Sequence, residues 1–301
     1  MHKSSRKTHV RRVSCAILAL TSAVAAAELW YYPRYRRDVV DLSPQTHAEL
    51  RVTSANVRCL SPTDLGKKSW LYRASLLLRV LADEQPDVIG FQEVTRVHYA
   101  YLQAHLTGYD SVIAYRSDGF LSEGCPIFYN AERFTLTDKG SFWLSETPER
   151  SSKSWGAAFP RVCSYVILRE TATDKPLVVF NSHLDHVSDE ARIRGVGVVL
   201  DKLRAFGDYP CVLMGDLNAG EDSETYRSVT ARFDDAKYRT ENPPKGPTYQ
   251  NWGKALQSEN IDYFLISPTG IDVSSYRIAD TLYDGVYPSD HFPIVMDISL
   301  T

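Results

Sequence analysis

Six apolar segments of this chain run directly into an Asp, Glu, Asn or His, and this recurrence limits the possible fold more than any bulk property. VLMGD leads to Asp216 and Asn218, and TSAN ends in Asn56. VIGFQEV carries Gln92 and Glu93, and VVFNSHLDH carries Asn181, His183, Asp185 and His186. PSDHFPIV sets Asp290 and His291 before a last apolar run, and Asp262 opens IDYFLIS. Short apolar runs bounded this way read as buried strands. An ionised group at the end of a buried strand is costly unless it is paired or metal-bound. One such group is most often a capped turn, but six of them need partners. The economical arrangement brings the strand ends to one edge, where they share a partner such as a metal ion with bound phosphate.

Strand patterns recur at short intervals: ELRVTSAN, DVIGFQEV, YDSVIAYR, CPIFYN, RVCSYVILRE, LVVFNSHLDH, CVLMGDLNA, IDYFLIS and PIVMDISL. Two helices are clear between them. SWLYRASLLLRVLADEQ places Leu71, Ala74, Leu78 and Leu81 at helical spacing. DEARIRGVGVVLDKLRAFG places Ile193, Val196, Leu200 and Leu203 on one face, with Asp189 as the expected N-cap and Gly207 as the expected C-cap glycine. Each helix leads through a proline, Pro86 or Pro210, into an apolar run that ends in chelating residues, a weak internal echo. Many strands with helices over them predict two packed sheets flanked by helices, a layered α/β arrangement. No linker interrupts 49–301, which reads as one domain behind a lead-in, 28–48.

The N-terminus reads differently. Lys3, Arg6, Lys7, Arg11 and Arg12 precede Val13–Ala27, fifteen small or apolar residues ending in Ala25-Ala26-Ala27. That is the pattern of a secretory signal cleaved after Ala27. The other reading is an uncleaved anchor, with YYPRYRR at the membrane interface. Either places the body outside the cytoplasm and allows membrane association through this segment. Removing 1–27 removes five of 34 basic residues and none of 37 acidic ones, so the net charge falls from −3 to −8. An acidic body argues against sequence-blind nucleic-acid binding through a broad basic face. Cys59, Cys125, Cys163 and Cys211 allow two disulfides in three connectivities, or plain burial of Cys163 and Cys211 within strands.

Carboxylates and amide oxygens suit a hard cation, so the ligand types point to Mg²⁺ or Mn²⁺ rather than zinc. GFQEV, NSHLDH, GDLNA, IDYFLIS and SDHFP, in this order from Asn56 to Pro293, together resemble the endonuclease/exonuclease/phosphatase superfamily. The resemblance implies a four-layer α/β sandwich, two mixed sheets packed face to face with helices outside. It implies a metal-dependent phosphoester hydrolase, with Asn56, Glu93 and Asp290 on the metal side. Asp216 would orient or deprotonate the attacking water, and Asn218 would position phosphate or water. His291 would contact the scissile phosphate, with Asp262 fixing its tautomer. His183 matches the second histidine of deoxyribonucleases and sphingomyelinases, a general acid paired there with a glutamate that Glu123 matches. Arg161 matches an arginine near the phosphate.

The implied activity is first that of a nuclease or phosphodiesterase acting on nucleic acid, with a sphingomyelinase-like activity on phospholipid, or a small-molecule phosphodiesterase or phosphatase, as the alternative. Loops 140–161 and 239–257 bring Phe142, Trp143, Trp155, Phe159, Tyr249 and Trp252 near basic residues. Such aromatics can stack bases, meet a sugar or a membrane, or pack their own loops. An inactive descendant that only binds is the non-enzyme alternative.

Overall fold

Residues 15, 18–19, 21–30, 38–45, 47–255 and 259–301 are described by the computed structural model. The apolar runs form strands buried on both faces, which requires a covering layer on each side of a sheet. The first sheet holds β1 (Leu50–Asn56), β2 (Val88–Gln92), β3 (Tyr109–Val112), β4 (Ile127–Asn130), β11 (Ile271–Ile278) and β12 (Ile294–Leu300), in the order β11-β12-β1-β2-β4-β3. The second holds β5 (Phe134–Trp143), β6 (Val162–Glu170), β7 (Pro176–His183), β8 (Cys211–Asp216), β9 (Asp234–Asp235) and β10 (Asp262–Ile266), in the order β5-β6-β7-β8-β10-β9. Both sheets are mixed. β1–β2 and β7–β8 are parallel, and their other neighbours run antiparallel.

Side-chain alternation sorts the core into layers. Val52, Val88, Val179, Met214, Phe264 and Met296 meet between the sheets. Ala55, Ile89 and Phe91 point outward against α1 (Trp70–Glu84) and α2 (Arg96–His105). Val178, Phe180 and Leu213 point outward against α3 (Asp189–Leu203) and α4 (Glu224–Thr230). The result is the four-layer α/β sandwich. The internal echo is real in space: α1 carries the chain from β1 to parallel β2, and α3 carries it from β7 to parallel β8.

Several local expectations are corrected. Leu71 is 59 % exposed, while Leu77, Leu78 and Leu81 form the buried face of α1. Ser188 caps α3, accepting from the Ala191 N–H, and Asp189 is the first helical residue. Gly207 follows a 3₁₀ turn, Arg204–Phe206, instead of the α-helix itself. β5, β11, α2 and α4 were not legible as apolar patterns. β5 alternates only weakly because it is an edge strand, largely solvated. All described cysteines are free, and Cys125, Cys163 and Cys211 are buried.

Residues 21–30 are helical, and the Glu28 carbonyl accepts a hydrogen bond from Tyr72 Oη at 2.7 Å. No helix among the described residues is long and apolar enough to cross a membrane. The basic stretch 1–12 and the YYPRYRR segment, on which the export and anchor readings rest, lie outside the described residues.

The reassigned face of α1 has a measurable consequence. Leu81→Ala, at a site with no exposure, should lower stability by about 2–5 kcal/mol, whereas Leu71→Ala should stay within about 0.5 kcal/mol. Urea unfolding checks both values. Equal losses would return Leu71 to the core.

Candidate active site

Strand register places the polar ends side by side. His183 ends β7 and faces Asp216, the last residue of parallel β8. Asp262 opens antiparallel β10 and faces Asp216 from the other side. In the first sheet Asn56 ends β1 opposite Gln92 of β2, and Glu93 follows with a left-handed φ of +62°. That conformation is unfavourable for a side-chain-bearing residue and persists only where the surroundings over-determine it.

Asn56 joins the two edges. Its Nδ2 donates to Glu93 Oε1 at 3.1 Å and to Asp216 Oδ2 at 3.0 Å. Its Oδ1 accepts from the Arg58 N–H at 2.9 Å. In this arrangement Asn56 is a bridge between carboxylates, and its oxygen is occupied by the backbone. Glu93 Oε2 accepts from the Cys59 N–H at 2.6 Å. One layer deeper, Gln92 Nε2 donates to Asn181 Oδ1 at 2.7 Å, while Asn181 Nδ2 donates to the carbonyls of Phe91 and Pro126. These two amides satisfy each other across the sheets and do not reach the pocket. The prediction that all six strand ends share one partner is corrected to that extent.

His291 lies beneath the same edge, with Nδ1 at 2.8 Å from Asp262 Oδ2 and Nε2 at 3.8 Å from Asp216 Oδ2. His183 Nε2 stands 3.5 Å from that oxygen, and the Asn218 N–H donates to Asp216 Oδ1 at 2.8 Å. The Asn218 side chain donates to the Leu184 carbonyl at 3.0 Å. Burial, then the facing Asp262, push the Asp216 carboxyl well up. Burial alone would depress His291, but the Asp262 charge and hydrogen bond, with Asp216 and Asp290, raise it to about 10. His183 goes the other way: burial and Arg161 drive it toward the neutral form. Burial also works against ionisation of Glu93, yet it is held at about 2 by His183, the Cys59 N–H, His291 and Asn56. A neutral His183 contributes little of that pull, so the backbone donor and the cationic His291 are the causes that persist.

Glu93, His183, Asp216, Asp290 and His291 line one cavity of about 500 Å³ with Arg58, Cys59, Arg116, Glu123, Phe159, Arg161, His186, Asn218 and Tyr249. Arg161, 5 % exposed, reaches Asp185 Oδ2 at 3.4 Å and His186 Nδ1 at 2.9 Å. His186, exposed, stacks on Phe159 with ring centres 6.0 Å apart. Glu123 is not paired with His183. Both its oxygens accept from Arg116, at 2.9 and 2.7 Å, so it is the partner of an arginine in the wall. Arg58 lies 3.6 Å from Asp290 and 2.9 Å from Asp64. Arg58 and Arg116 escaped the sequence reading because their partners are fixed by loop geometry. The only sequence signal for Arg58 is its place two residues after Asn56. Of the loop aromatics, Phe159 and Tyr249 face the cavity. Phe142 belongs to the core, Trp143 Nε1 donates to the Arg116 carbonyl, Trp155 lies near Arg194 and Trp252 covers Arg73.

The donors fit a hard cation. Glu93 and Asp290 present carboxylates to the cavity, and the Cys59 thiol is kept protonated by burial and by Glu93. Asp216, Asp262 and His291 also offer ligand atoms within 4.8 Å of one another. There Asp262 Oδ2 already engages His291 Nδ1, so that group reads as a hydrogen-bonded relay.

A model of the Endonuclease/Exonuclease/phosphatase family matches residues 53–291. An endonuclease/exonuclease/phosphatase from Bacteroides vulgatus superposes with a TM-score of 0.79 at 27% identity, over 85% of this chain and 100% of that one. A mannosyl-6-phosphatase of Bacteroides thetaiotaomicron gives 0.76 at 27% identity, over 83% and 100%. Human nocturnin is 24% identical over 89% of this chain and 70% of its own length. Some other curated relatives are spanned less fully. The exoribonuclease subunit Ccr4 of Yarrowia lipolytica is 22% identical over 54% of this chain and 30% of its own.

The Asp262–His291 pair makes a pH prediction. A raised histidine pKa stabilises the fold fully below the ordinary value of 6.5, and this contribution is lost as pH rises through about 10. In EDTA, the His291 imidazole protons should titrate near the upper value by NMR. In Asp262→Asn the midpoint should fall toward the ordinary value of 6.5. An unchanged midpoint would remove Asp262 as the cause.

Proposed function

Because the chain belongs to the Endonuclease/Exonuclease/phosphatase family, whose members hydrolyse phosphoesters, we propose that it is a divalent-metal-dependent phosphoester hydrolase using in-line attack by water. One observation carries the reading: Glu93, Asp290, Asp216, His183, His291 and Arg161 all line one cavity. Glu93 and Asp290 would hold Mg²⁺ or Mn²⁺, with Asn56 orienting Glu93, and a bound metal neutralises charge on phosphoryl oxygens. Asp216, raised by burial, aligns the water and takes its proton. His183, neutral and 3.5 Å from Asp216, shares that water. Arg161 and the cationic His291 stabilise charge on the phosphoryl group. His291, kept protonated by Asp262, is the group with a proton to give the leaving oxygen. The resemblance leaves open which histidine is the acid, and in this reading it is His291.

For the substrate we favour a small phosphoester or a chain end. The cavity, about 500 Å³, matches small-molecule sites. The body is acidic, and a mannosyl-6-phosphatase is among the similar structures. A nucleic-acid end is the second reading. Phe159, 45 % exposed beneath the Arg116 guanidinium at 4.4 Å, offers a stacking face, and a curated relative is an exoribonuclease subunit. Export, with membrane association through the N-terminal segment, remains part of the proposal on the strength of residues 1–27.

The test is a panel of hexose phosphates, bis-p-nitrophenyl phosphate, single-stranded DNA, RNA and sphingomyelin, with Mg²⁺ or EDTA. Turnover should require metal and should fall by at least about 10²-fold in Glu93→Ala. Preference for hexose phosphates supports the first substrate reading, and preference for DNA or RNA the second. Metal-independent turnover, or none anywhere on the panel, would overturn the reading.

A further inference from the structure

We infer that Arg73 is a positioning residue for the metal side of the pocket, acting on Asn56 and Glu93 through two consecutive peptide groups. The inference rests on the reading of Glu93 and Asp290 as metal donors. Arg73 lies on α1, is 1 % exposed, and forms no ion pair with a described residue. A buried cation without a carboxylate partner is costly to keep. Its donors go to carbonyls instead. Nη1 donates to the Val57 carbonyl and, at 3.4 Å, to the Pro288 carbonyl. Nη2 donates to the Arg58 carbonyl at 2.7 Å, and Nε to the Lys68 carbonyl at 2.9 Å.

The far side of each peptide group shows what these bonds do. The Val57 carbonyl shares its peptide unit with the Arg58 N–H, which donates to Asn56 Oδ1 at 2.9 Å. The Arg58 carbonyl shares its unit with the Cys59 N–H, which donates to Glu93 Oε2 at 2.6 Å. Arg73 thus grips two peptide oxygens whose nitrogens grip the two polar side chains at the pocket edge. A cation on the carbonyl also polarises the peptide and strengthens the opposite N–H as a donor. The Pro288 carbonyl adds the segment that precedes β12. Ser289 follows it, and its Oγ donates to the Asn56 carbonyl at 2.7 Å and lies 3.4 Å from Asp290 Oδ1. Arg58 has φ +57° and Glu93 φ +62°, so two residues of this relay are strained and need such over-determination. Trp70 and Trp252 flank the guanidinium at 5.1 and 5.8 Å and shield it from solvent.

Arg73→Lys keeps the charge but replaces a planar fork with a point donor that cannot hold both peptide oxygens. Arg133→Lys is the control at a distant site. Arg133 is half-buried, donates to the carbonyls of His47, Ala48 and Glu49, pairs with Asp87 and Glu170, and lines a different cavity. Mn²⁺ binding to the full-length protein is read by electron paramagnetic resonance, alongside kcat, KM and melting temperature. Arg73→Lys should weaken Mn²⁺ binding and lower kcat by about tenfold or more, moving KM less than about threefold. Arg133→Lys should lower only the melting temperature. If Arg73→Lys does not fold, Trp252→Leu should weaken Mn²⁺ binding by about threefold, because the cation loses its cover. Wild-type protein that binds no Mn²⁺ would overturn the metal-site reading and this inference with it. Wild-type binding with unchanged affinity in the folded Arg73 and Trp252 variants would overturn this inference alone.

Discussion

The side-chain amide of Asn56, shared between Glu93 of one sheet and Asp216 of the other, is the contact on which the pocket depends. Apolar burial between the sheets is large but non-directional. It presses the layers together without specifying which strand end meets which. The polar seam supplies that specification. Asn56 spans it at the surface, and Gln92 and Asn181 span it one layer below. Gly90 lets the sheets approach there, since a Cβ would run into the Met214 side chain. Polar groups this buried are costly when only partly satisfied, so a shifted sheet would leave several of them unpaired at once.

The seam also explains the opposed charges of the two histidines. Asp216 and Asp262 face each other across neighbouring strands, an arrangement that like charges disfavour. Direct contact with Asp262 pulls His291 toward its charged form, while burial and Asp262 raise the Asp216 carboxyl. Burial first, and then Arg161, drive His183 toward the neutral form. Both rings lie near Asp216, but only His291 has a carboxylate, Asp262, in direct hydrogen-bond contact with its ring. The arginines divide comparably. Arg116 and Arg161 are tied to Glu123 and Asp185 in the wall, whereas Arg73 is tied only to carbonyls and works on the backbone.

What could be read from the chain alone was what local chemistry states. Apolar runs ending in Asp216, Glu93 and His291 are anomalous wherever they occur, and the anomaly survives without coordinates. The face of α3 with Val196 and the buried strands β2, β8 and β10 follow from periodicity, because burial selects residues by spacing. β5 was not visible, since an edge strand in water has no apolar period to show. Leu71 was misplaced because a helix face can be shifted by one residue without spoiling the spacing.

The sequence by itself determined a layered α/β body with a cluster of oxygen and imidazole groups at its strand ends, because hydrophobic period and residue chemistry are local properties. Only the tertiary structure decided the partners. It gave Glu123 to Arg116 instead of His183, set Asn56 as a bridge between Glu93 and Asp216, withdrew Gln92 and Asn181 below the pocket, and brought Arg58 and Arg73 to the Asn56–Glu93 corner. Those pairings are set by register between strands and by the path of loops, and both depend on contacts between residues far apart in the chain, which no local pattern encodes.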